Sequence, residues 1–92
     1  MDKLEPDQIE ARMESLPEWT LSGDKLQRTM GFTDFEAAMA FVNTVATAAR
    51  KAQHHPDILI RYSKVTLTLS THDAGGLTDR DFEMAQTIDA LV

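Results

Sequence analysis

Between Lys64 and Thr71 the chain alternates strictly, with Val65, Leu67 and Leu69 interleaved with Thr66, Thr68 and Ser70. A period of two belongs to a β-strand, whose successive side chains point to opposite faces. One face of this strand must be buried and the other polar, so the chain is committed to a sheet covered on one side. The cover is legible upstream. Phe35, Ala38, Met39, Val42, Val45, Ala46 and Ala49 recur at helical spacing, and Ala37, Phe41, Ala48 and Ala52 form a weaker second stripe. A helix with two apolar faces needs two partners. The sheet is one; another subunit is the candidate for the other.

The flanking segments complete the pattern. Pro6 suits a first helical turn, Ile9, Met13 and Leu16 follow at helical spacing, and Pro17 ends that segment. Trp19 and Leu21 alternate as in a short strand, Ser22-Gly23-Asp24 reads as a turn, and Leu26, Met30 and Phe32 return as a second strand. Thr33 or Asp34 can cap the long helix. Pro56 disfavours helical geometry at His55, so that helix should stop near Gln53 or His54. Ile58 to Tyr62 reads as a third strand, joined tightly at Ser63 to the alternating one. After Ala74-Gly75-Gly76, Thr78 opens a last helix with Asp81 in capping-box position, and Phe82, Ala85, Ile88 and Val92 form its apolar face. The expected fold is α+β in the order α-β-β-α-β-β-α. Three helices pack on a four-stranded antiparallel sheet in a single domain spanning 1–92.

Charge and length narrow the function. With 92 residues and a formal net charge of −6, the chain has neither the basic surface that nucleic acid requires nor a match to anionic membranes. No apolar run reaches the roughly 20 residues of a membrane span, and the first residues lack a secretion-signal pattern. The expectation is a soluble, cytoplasmic protein. So short a chain buries a modest core, and self-association would add to it. Zero cysteines remove thiol nucleophiles and cysteine–zinc sites.

Histidine is then the natural group for proton chemistry near neutral pH, and there are three: His54, His55 and His72. Adjacent side chains diverge on either a helix or a strand, so His54 and His55 are a poor metal pair, and no HExxH pattern supports one. Two surface histidines at a helix end are the plainer alternative. His72 has the parity of the polar strand face and precedes a Gly-Gly turn that lets backbone approach a ligand.

Taken together, His54-His55-Pro56-Asp57, Tyr62, Lys64-Val65, Leu67 to His72, Gly76-Leu77-Thr78 and Arg80-Asp81 resemble the pterin-4a-carbinolamine dehydratases. Trp19 and the Phe32-Thr33-Asp34-Phe35 helix entry extend the likeness, which runs from about Leu16 to Val92. The resemblance implies the same α-β-β-α-β-β-α fold and dehydration of a 4a-hydroxytetrahydropterin to the quinonoid dihydropterin and water, in tetrahydrobiopterin recycling. It implies that His54 and His72 share the acid and base roles and that His55 binds or orients the pterin. Asp81 would hold a histidine in one tautomer, and Pro56, Thr71 and Trp19 would line the substrate site. No cofactor or metal is implied. The small-molecule pterin is the expected partner, and a homodimer or homotetramer the expected assembly. One departure is visible: many members carry an acid four positions before the first histidine, where this chain has Arg50 beside Lys51. Two further readings follow from the likeness. One is a non-catalytic partner that stabilises another protein's oligomer. The other is a molybdopterin-related pterin protein in which Arg50 and Lys51 meet a phosphate.

Overall fold

The long helix starts where a side chain can accept its free amides. Asp34 takes the N–H of Ala37 at 2.8 Å, and the helix then runs Phe35–Ala52 (α2). A computed structural model describes residues 2–92. Around α2 lie α1 (Pro6–Met13), β1 (Thr20–Ser22), β2 (Lys25–Gly31), β3 (Asp57–Arg61), β4 (Lys64–Leu69), a 3-10 turn (His72–Ala74) and α3 (Asp79–Leu91). The order is α-β-β-α-β-β-α, with three helices on a four-stranded antiparallel sheet ordered β1-β2-β4-β3.

The alternating strand β4 is interior to the sheet, as its sharp pattern requires. Val65, Leu67 and Leu69 are fully buried beside Leu26 and Met30 of β2. Against them pack Ala38, Phe41, Val45 and Ala49 of α2 and Phe82, Met84, Ala85 and Ile88 of α3. The other sheet face carries hydroxyls and amides. Gln27 Nε2 donates to Thr68 Oγ1 at 3.2 Å, and the Thr29 and Thr66 hydroxyls meet at 2.8 Å. No helix among the described residues is long and apolar enough to cross a membrane.

Several expectations shift in detail. Phe41, read as part of an outer stripe, is 7% exposed and belongs to the core, its ring 5.1 Å from that of Phe32. Phe35, read as core, is 43% exposed. Alanines flank both stripes, so apolar spacing cannot locate the centre of the buried face. Helix α1 ends at Met13, before Leu16, and β4 ends at Leu69 rather than Thr71. Beyond it, Thr71 forms a single bridge to Gly76. The turn between them closes at Gly75, whose φ of +75° suits glycine.

Candidate active site at one end of the sheet

The geometry begins with how α2 stops. Gln53 adopts the left-handed conformation (φ 53°, ψ 41°). Its N–H bonds the carbonyl of Arg50, and the N–H of His54 bonds that of Ala49. This is a Schellman motif, which satisfies the last carbonyls of a helix and turns the chain sharply. Pro56 then forbids a return to helix. The turn sends the His54 side chain back between α2 and α3.

There it meets Asp81. His54 Nε2 lies 2.5 Å from Asp81 Oδ1, with the two side chains 10% and 0% exposed. The second carboxylate oxygen accepts the Thr71 hydroxyl at 2.8 Å and the Thr78 N–H at 2.9 Å. The Thr71 and Thr78 hydroxyls are also 2.8 Å apart. One buried carboxylate therefore ties together the end of α2, the segment after β4 and the start of α3. Its contact with the imidazole engages Nε2, and the His54 ring also lines a cavity. That cavity, of about 230 Å³, is bounded also by Ala52, Arg80, Glu83, Met84 and Thr87.

The neighbours of the anchored residues lie elsewhere. His55 and His72 line a cavity of about 350 Å³ with Lys25, Asp57, Thr68 and Ser70. Its size is within the range of small-molecule sites, roughly 300–1,000 Å³. Among the described residues no group of three or more His, Cys, Asp or Glu could hold a metal ion.

The residues picked out in the sequence thus separate. His55 and His72 share a cavity, while His54 pairs with Asp81 beside a second one. Asp81 has no exposed surface, so it can act only through its partners. The Thr71 hydroxyl is spent on Asp81 and Thr78, Pro56 is buried, and Trp19 is a core residue. The Trp19 indole N–H donates to Asp89 Oδ1 at 2.7 Å, which also takes Arg28 Nη1 at 2.6 Å, and the ring lines neither histidine cavity. Arg50 and Lys51, on the last turn of α2, line neither cavity either. Lys25 was not singled out from sequence, and Asp57, Thr68, Ser70 and Arg80 stood there as part of the family resemblance without a role in the site. The polar face of β4 was the available signal for Thr68 and Ser70, while Lys25 arrives through strand pairing that no local pattern encodes.

Comparison with known proteins identifies the family and the fold. The family model described as Pterin 4 alpha carbinolamine dehydratase matches residues 2–91. A protein of Acidobacterium capsulatum named "Putative pterin-4-alpha-carbinolamine dehydratase" is 56% identical over 92 residues, covering 100% of both chains. The crystal structure of a transcriptional coactivator/pterin dehydratase from Brucella melitensis superposes with a TM-score of 0.92 at 30% identity, covering 98% of each chain. A pterin dehydratase-like protein identified as a RuBisCO assembly factor in the alpha-carboxysome shares the fold at a TM-score of 0.64 and 22% identity, over 79% of this chain and 84% of that one. With its three histidines and buried aspartate at one end of the sheet, the chain belongs to the pterin-4-alpha-carbinolamine dehydratase family.

Proposed function

We propose that this protein is a hydro-lyase that converts a 4a-hydroxytetrahydropterin to quinonoid dihydropterin and water, in tetrahydrobiopterin recycling. The observation that carries the reading is the pairing of nearly buried His54 with fully buried Asp81. An imidazole oriented by a carboxylate is the arrangement expected of a proton-transfer group.

The reaction needs two proton transfers. Hydroxide leaves C4a poorly unless its oxygen is protonated as the C–O bond breaks. The N5 proton departs as the C4a=N5 bond forms. His54 and His72 share the two transfers, His72 from the larger cavity that it lines and His54 from its place on Asp81. Asp81 offsets the positive charge of the His54 ring when that ring holds the proton. His55 orients the pterin. Positioned acid and base groups contribute about 10²- to 10⁴-fold, which is appreciable for a substrate that also loses water unaided.

The non-catalytic alternative keeps one supporting observation, the fold shared with the RuBisCO assembly factor. A purely adaptor role leaves the His54–Asp81 pair only the structural task of tying α2 to α3. The deciding measurement is the dehydration rate of freshly generated 4a-hydroxytetrahydropterin, followed by absorbance, with native protein and His54→Ala. The expected outcome is acceleration by native protein and its loss in the variant. No acceleration by folded native protein overturns the dehydratase reading in favour of partner binding.

A further inference from the structure

Among the residues lining the 350 Å³ cavity, Asp57 is the single acid. It is the first residue of β3 and pairs across the sheet with Thr68, which in turn pairs with Gln27. Continuing both registers past the strand ends brings Lys25, Ser70 and His55 into the neighbouring row. Two parallel rows therefore cross the open sheet face, with Asp57 at the outer end of one and His55 at the outer end of the other. Gln27 donates to the Thr68 oxygen, so the Thr68 hydroxyl hydrogen remains to be given elsewhere. Neither Asp57 nor Lys25 takes part in an ion pair among the described residues.

The ligand chemistry that fits a lone carboxylate here is specific. A pterin presents its 2-amino group and N3–H side by side, two parallel donors spaced like a guanidinium edge. A carboxylate can accept both at once, as it does from arginine. The other lining groups are hydroxyls, imidazoles and an ammonium, none of which offers two acceptor oxygens. We propose that Asp57 is the specificity-determining residue of the cavity, accepting the 2-amino and N3–H donors of the pterin and so selecting it among ligands of similar size. This rests on the dehydratase reading. The plainer role for Asp57 is that of a charge guarding an edge strand against pairing, and that role involves no preference among ligands.

The test compares native protein and Asp57→Asn in two assays: steady-state dehydration of 4a-hydroxytetrahydropterin, and calorimetric binding of 7,8-dihydropterin and its N3-methyl analogue. Losing a charge-assisted pair of hydrogen bonds should raise KM and the 7,8-dihydropterin Kd by about 10- to 100-fold, with kcat changed by less than about threefold and the melting temperature unchanged. N3-methylation should weaken binding to native protein by a similar factor and to Asp57→Asn by little, because the two changes remove one interaction. A variant Kd within about twofold of native, in a protein that still dehydrates the substrate, overturns the role of Asp57 and leaves the dehydratase standing. So do equal losses on N3-methylation in both proteins, since additivity means that Asp57 does not touch that edge. Native protein that neither binds 7,8-dihydropterin nor accelerates dehydration overturns both.

Discussion

A carboxylate with no exposed surface must have its oxygens satisfied, because an unpartnered buried charge is costly. Asp81 meets that requirement with the His54 ring, the Thr71 hydroxyl and the Thr78 amide. Asp81→Ala removes the acceptor from all three and should lower stability by about 3 kcal/mol, read as a fall in the urea midpoint at unchanged m-value. Thr71 offers a finer probe. Its hydroxyl anchors the residue just before His72, so Thr71→Val should cost about 1–2 kcal/mol and reduce kcat more than it raises KM. Thr71→Ser, which keeps the hydroxyl, should restore kcat. Equal kcat in the valine variant would mean that the anchor does not position His72. The histidines and Asp81 were legible in the sequence because they occur at a recognisable spacing. The anchoring role of Thr71 was not, because a hydroxyl's partner is decided by which distant segments fold against it. Trp19 shows the same limit: an indole reads alike whether it stacks on a ligand or, as here, bonds Asp89 in the core.

Element boundaries were best legible where a residue had a mechanism at that position. Pro56 marked one end of α2 because it disfavours helix, and the pair Thr33 and Asp34 marked the other because either can accept free amides, a role that Asp34 takes. The boundaries that moved lacked such a residue: nothing in Ser70 or Thr71 says that β4 has ended, and the bridge from Thr71 to Gly76 that replaces it is tertiary. The exit of α2 also carries a stability cost. Gln53 holds the left-handed conformation that glycine adopts freely, and a residue with a Cβ pays roughly 1–2 kcal/mol there. Part of this is recovered because glycine loses more freedom on folding. Gln53→Gly should still raise stability by about 0.5–1 kcal/mol, seen as a melting temperature higher by roughly 2–6 °C. His54 follows this residue directly, so turnover should be preserved if the Schellman turn is kept. A stabilised variant with lost turnover would show instead that the glutamine side chain serves the site.

Among the described residues the sheet has two outer strands, β1 and β3, of which β3 is the longer. β3 is the outer strand next to β4, and its apolar residues are poorly buried for their type, with Ile58 38% and Leu59 55% exposed and Tyr62, in the turn beyond, 72% exposed. An open edge with apolar side chains is a template for another strand, and a chain of this size gains from burying more surface. The second apolar stripe of α2 pointed in the sequence to a helical interface, but Phe41, its largest member, faces the core of its own chain. A charge at Phe41 would therefore unfold the protein rather than divide an assembly. The expected contact is instead β3 against β3 of a second copy, extending the sheet. Light scattering on native protein should then give a multiple of the monomer mass. Leu59→Lys, which sets a charge on the edge without touching the core, should reduce that mass to the monomer's. The melting temperature of native protein should rise with concentration, since association stabilises the folded state by mass action, and that of the lysine variant should not. A lysine variant that keeps the native mass would move the interface to the outer face of α2, whose exposed Ala40, Asn43, Thr44 and Thr47 would then be the residues to change.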